Sequence, residues 1–153
     1  MRMPVRRGPL AAGDVARWAS ATLEVATRGR GLVEITAELA AFVADAGLGD
    51  GLLTVFCRHT SASLTIQENA DPDVRTDLLT ALDRLAPENA GWIHRSEGPD
   101  DMPAHIKAML TGTSLGIPIV GGRLALGTWQ GVYVVEHRAR AHRREVVLQA
   151  MGA

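Results

Sequence analysis

Extended, β-branched stretches lie at both ends of this sequence, and helical periodicities lie between them. That segregation restricts the fold more than any other feature. Regular alternation of strand and helix builds parallel βαβ units, whereas strands grouped apart from helices build α+β folds on antiparallel sheets. The spacing predicts strands at Ser20–Thr27, Gly51–Cys57, Ser63–Gln67, Ser114–Val120, Arg123–Trp129 and Gly131–His137. Leu32–Ile35 reads as a short extended run and Glu145–Gln149 as a final strand. Three helices are expected. Thr36–Ala46 has Thr36 as its cap and Gly47 as its stop. A second runs from Asp71-Pro72-Asp73 to Leu85, with Val74, Leu78, Leu82 and Leu85 as its apolar stripe. A third has Pro103 in its first turn and ends at Gly112.

At 153 residues the chain accommodates one domain, assigned to 16–153, preceded by a flexible arm over 1–15. The single cysteine, Cys57, excludes an intramolecular disulfide framework and suits a reducing cytoplasm. A net charge of -1 and 4% aromatic content argue against a nucleic-acid partner. No segment offers ~18 uninterrupted apolar residues, so no membrane span is expected.

Four stretches carry side chains suited to chemistry. Arg58-His59-Thr60-Ser61-Ala62-Ser63 follows directly on an apolar strand. A histidine there is held by the sheet yet open to ligand, and Thr60, Ser61 and Ser63 offer hydroxyls to phosphate oxygens. The same residues equally serve to end a strand and shape a turn. In His94–His105, two histidines flank Glu97, Asp100 and Asp101 across a Gly-Pro turn, a mixed N/O set suited to a divalent ion. Capping by one aspartate is the alternative there, and it leaves both histidines without a role. Glu136 ends a β-rich run after Trp129, where a carboxylate orients a ligand or pairs with an arginine; Trp129 itself reads as core or interface. Arg138–Arg144 holds four arginines, whose guanidinium forks match phosphate or serve as a charged sheet edge. Cys57 reads as a buried structural thiol.

Three segments in this order, Cys57–Asn69, Glu97–Lys107 and Gly122–Arg138, together resemble the YjbQ family, whose members are often labelled secondary thiamine-phosphate synthases. The resemblance covers the chain from about Ser20 onward. It implies a YjbQ-like α+β fold, a mostly antiparallel β-sandwich-like sheet with helices packed to one side, and a compact homotrimer. It also implies a histidine pocket, mapped onto His59, His94 and His105 as ligands of a divalent metal, zinc first and magnesium or manganese as alternatives. Glu97, Asp101 and Glu136 then stand as the catalytic carboxylates, and Thr60, Ser61, Ser63, Arg138 and Arg143 as contacts to the phosphate of a small metabolite. Many relatives read Glu-Phe-Asp-Gly-Pro-Arg where this chain has Glu136-His137-Arg138-Ala139-Arg140-Ala141, a departure confined to the basic segment.

Overall fold

A computed structural model describes residues 5–153. Residues 5–16 form neither helix nor strand; the first four residues of the expected arm lie outside the described part. Eight strands and three helices follow among the described residues: β1 Arg17–Ala26, β2 Gly31–Glu34, α1 Thr36–Ala46, β3 Gly51–Cys57, β4 Ala62–Glu68, α2 Pro72–Leu85, α3 Asp101–Thr111, β5 Ser114–Val120, β6 Arg123–Leu124, β7 Gln130–Glu136 and β8 Arg143–Gly152. All strand pairs are antiparallel. They form a five-stranded sheet, β1-β8-β3-β5-β6, and a three-stranded sheet, β2-β7-β4. The fold is therefore α+β, as the segregation of strand and helix signals requires.

The two sheets and α1 enclose one apolar core. Leu53, Val55, Ile117, Ile119 and Leu148 meet Leu64, Val132 and Val134 there, with Leu39 and Val43 of α1. Each such side chain contributes roughly 1.5–3 kcal/mol by leaving water. β7 lies between two partners and is buried on both faces, which explains its unbroken Val132-Tyr133-Val134-Val135 run. β8 alternates instead, with Arg144, Val146, Leu148 and Ala150 inward and Arg143 and Glu145 outward.

Several local expectations are corrected. Ile35, not Thr36, holds the N-cap position of α1, and no side chain caps it. Thr36 instead donates to Glu34 Oε2 at 2.9 Å and accepts the Val132 N–H at 2.9 Å, tying α1 to β7. The strand expected over Arg123–Trp129 stops at Leu124. Gln130 closes a turn there, its N–H on Gly127 O at 3.0 Å and its Oε1 accepting the Gly127 N–H at 2.8 Å. Trp129 is left 65% exposed and packs in no core of this chain. The last strand is longer than Glu145–Gln149, because β1 and β3 pair with it along both edges. The stripe on α2 buries no residue, and Leu85 is 67% exposed. Polar contacts hold that helix: Asp71 caps it by accepting the Asp73 N–H at 2.9 Å, and Arg75 lies over the Tyr133 ring.

Candidate metal centre

The start of α3, the loop before it and the ends of β7 and β8 meet at one edge of the sandwich. Asp101 opens α3 and is 2% exposed. Its Oδ2 lies 2.6 Å from His94 Nε2 and 3.1 Å from His105 Nε2. The i, i+4 spacing on α3 brings His105 over Asp101. Glu97 Oε2 stands 3.7 Å from His94 Nε2 on the open side. One ligand atom from each of His94, Glu97, Asp101 and His105 falls within 4.8 Å of the others.

Hydrogen-bond direction makes this cluster more than an acidic loop. His105 Nδ1 faces Thr60 O at 3.0 Å. A carbonyl only accepts, so Nδ1 carries the proton. With Nδ1 so committed, Nε2 is the position left facing the Asp101 carboxylate, where a shared cation, proton or metal ion, satisfies both groups. Backbone orientation of one imidazole nitrogen is the usual support for a metal-binding partner nitrogen.

Arg138 braces the cluster from behind. It donates through Nε to Asp100 Oδ2 at 3.0 Å, through Nη1 to Asp101 Oδ1, and through Nη2 to Glu97 O at 2.8 Å. Asp100 also accepts the Ala139 N–H at 2.8 Å and spends no oxygen on capping α3. Burial pushes both aspartates up. For Asp100 the Ala139 N–H and Arg138 outweigh it, and for Asp101 the His94 hydrogen bond and the Arg138 charge do, so both lie below the usual carboxylate range.

A second polar group adjoins the first. Glu136 is fully buried and accepts from Thr27 Oγ1 at 2.7 Å, Arg138 N at 3.0 Å, Arg144 Nε at 2.7 Å and Arg144 Nη2. Arg144 Nη2 continues to Ser61 Oγ at 3.1 Å and Ser61 O at 3.2 Å. Burial raises Glu136, but the hydrogen bonds from Arg144 and Arg138 N–H more than offset it and keep it ionised.

This geometry divides the predicted site. His94, Glu97, Asp101 and His105 come together, and Arg138 is a brace rather than an open phosphate contact. His59 stands outside the cluster: its Nε2 accepts the Glu145 N–H at 2.7 Å and its Nδ1 faces Arg144 Nη1 at 3.5 Å. Burial, and then the Arg144 charge, hold His59 below its ordinary range. It still lines an open groove with Arg58, Thr60 and His105. Thr60 is exposed in that groove, whereas Ser61 is half-buried under Arg144. Ser63 is corrected: it is fully buried and bonded to His137 Nε2 at 2.8 Å and to Thr111, so it meets no phosphate. Glu136 is corrected from a catalytic carboxylate to a buried positioning group for Arg144. Arg143 points outward to Glu24 at 3.1 Å, 79% exposed. Arg144 is the residue overlooked; strand alternation through inward-facing Val146 and Leu148 was the signal for it. Gly112-Thr113-Ser114-Leu115-Gly116 has the spacing of a nucleophile elbow, but it leads from α3 into β5, whereas that elbow joins a strand to a helix.

The family description UPF0047 protein YjbQ-like matches residues 21–153. The chain belongs to the YjbQ (UPF0047) family. It is 55% identical over 131 residues to UPF0047 protein sll1880 of Synechocystis, covering 85% of this chain and 89% of that one. It is 41% identical over 136 residues to the YjbQ protein of Escherichia coli O157:H7, covering 88% of this chain and 99% of the other. A crystal structure of a yjbq/upf0047 family protein from Clostridium acetobutylicum superposes with a TM-score of 0.76 at 39% identity, covering 86% of this chain and 98% of that one. These names state the family and no reaction. Among the described residues, no helix of this YjbQ protein is long and apolar enough to cross a membrane.

Proposed function

We propose that His94, Asp101 and His105, with Glu97 at the rim, hold a divalent cation, and that the chain is a metal-dependent enzyme acting on a small phosphorylated metabolite in the cytoplasm. The observation that carries this reading is the convergence of two imidazole Nε2 atoms on Asp101 Oδ2, with His105 Nδ1 already committed to Thr60 O. Two nitrogens and a carboxylate suit zinc first, with magnesium and manganese as alternatives. When bound, such an ion polarises a phosphoryl oxygen and neutralises the charge of a leaving group.

The chain's own residues divide the remaining work. Arg138 fixes the Asp101 carboxylate so that Oδ2 faces the histidines. In the adjoining groove Arg58 and exposed Thr60 supply charge and a hydrogen bond to a phosphate, and His59 forms part of its wall. Glu97 is 64% exposed and is the carboxylate placed to exchange a proton with solvent or substrate. The resemblance to YjbQ proteins favours a thiamine-phosphate synthase type of transfer, in which a thiazole nitrogen replaces diphosphate on a pyrimidine methyl carbon. Hydrolysis or transfer on another phosphorylated substrate is the second reading. A homotrimer is part of the proposal. Trp18, Met151 and Leu52 sit opposite one another across β1, β8 and β3, each between 42% and 70% exposed, an apolar row suited to a neighbouring copy.

Elemental analysis of purified protein tests the centre. Asp101→Asn and His105→Ala are expected to lose stoichiometric metal while His59→Ala keeps it; equal metal in all three overturns the assignment. Diphosphate release from the thiamine precursors, compared with phosphate release from a panel of phosphomonoesters, then separates the two reactions. A metal-loaded protein that consumes neither would leave a metal-binding protein without this chemistry.

A further inference from the structure

The only lysine in the chain, Lys107, is buried beneath α2. Its side chain is 4% exposed, and Asp83 is its only carboxylate partner among the described residues. Asp83 itself is half exposed and shared with Arg30 at 3.4 Å. Beside this pair lies a cavity of about 160 Å³, lined by Leu79, Leu82 and Asp83 of α2 and by Arg30, Lys107 and His137. That exceeds the roughly 10–15 Å³ of such space that a single water needs. Glu136 also touches the cavity, but its oxygens are already taken by Thr27, Arg144 and the Arg138 N–H.

The hydroxyls around His137 close in one direction only. Thr111 Oγ1 lies 2.8 Å from Lys107 O and must donate to it. Ser63 then donates to Thr111, and His137 Nε2–H donates to Ser63 Oγ. Neutral His137 is left with a lone pair on Nδ1, to which the described residues form no hydrogen bond. The cavity therefore presents ammonium and guanidinium donors together with one free acceptor.

We propose that this cavity is a binding site for a small oxyanion that keeps one O–H, with hydrogen phosphate as its simplest form. An anionic oxygen takes the place of the Asp83 carboxylate on Lys107 Nζ, and the hydroxyl donates to His137 Nδ1. Asp83 then acts as an internal stand-in for the ligand. α2 carries it on a helix with no buried residue, so its displacement gives up little apolar contact.

A protein with one lysine offers a site-specific reporter. With 13C-labelled lysine, the single Lys107 Cε–H signal is followed during titration with inorganic phosphate. A saturable shift is expected in the native chain, with binding on the order of tenfold tighter in Asp83→Asn, about 1.4 kcal/mol, because the competing carboxylate is gone. The same shift is expected in His105→Ala, which separates this cavity from the proposed metal centre. Nitrate, without a hydroxyl, is expected to bind more weakly. A Lys107 signal that ignores phosphate in both native protein and Asp83→Asn, each with an intact thermal transition, overturns the proposal, as does equal binding of nitrate.

Discussion

Arg144 meets Glu136 fork to fork, Nε on Oε2 at 2.7 Å and Nη2 on Oε1, with both side chains shut off from solvent. Removing either partner strands a buried charge. Glu136→Gln is expected to destabilise the fold by about 3–5 kcal/mol, read from urea denaturation midpoints. A loss below about 1 kcal/mol would show that the pair is dispensable.

Arg138 touches the candidate metal centre only through Asp101 and the Glu97 carbonyl. Such support sets the affinity of a site without defining its ligands. Arg138→Met is expected to weaken metal binding by about 10–100-fold while keeping one ion per site at saturation. Competition with a chromogenic chelator measures this, and unchanged affinity would remove Arg138 from the assembly.

His137 gives stability a pH dependence. Burial, and then the nearby Lys107 charge, lower it from 6.5 to about 4. Between those values the unfolded chain binds a proton that the folded chain refuses, so stability falls as pH drops from 6.5 toward 4. The full effect approaches ~3 kcal/mol. His59 is shifted in the same direction and adds to it. The depressed carboxylates lose their contribution as pH falls below their unfolded values, 4.5 for Glu136 at the acid end of that window and 3.8 for Asp100 and Asp101 beyond it. His137→Gln should flatten the slope of stability against pH in that window; an unchanged slope would contradict the burial of a neutral ring.

Cys57 is 1% exposed, and burial pushes its thiol up. A thiol kept protonated and out of solvent reacts slowly with alkylating reagents. Labelling by iodoacetamide at pH 8 is expected only at the rate of unfolding. Rapid labelling of native protein would place Cys57 in contact with solvent.

The fold class was legible because strand and helix signals separate cleanly along the chain, and α1, α2 and β3 begin or end where caps, Pro72 and glycines put them. The shortened β6 was not, since a turn closed by the Gln130 side chain overrides the strand propensity of Ala125–Trp129. Among the candidate site residues, His94, Glu97, Asp101 and His105 were close in sequence and their convergence could be read from one loop and one helix turn. His59 depended on the course of the loop between β3 and β4, and Ser63 and Arg143 on which side of a strand faces inward. Phase fixes that, and one position separates exposed Arg143 from buried Arg144.

The placement of β8 sets an order of events during synthesis. β1 and β3 do not pair with each other; the Arg143–Gly152 segment lies between them and is the partner strand of β1 among the described residues, whereas β3 also pairs with β5. Until that segment has left the ribosome, β1 has no partner strand and Glu136 has no Arg144. From the synthesis of Ala26 to that of Arg143 the nascent chain therefore holds β1 without a partner strand, and the five-stranded sheet forms only once β8 enters between β1 and β3.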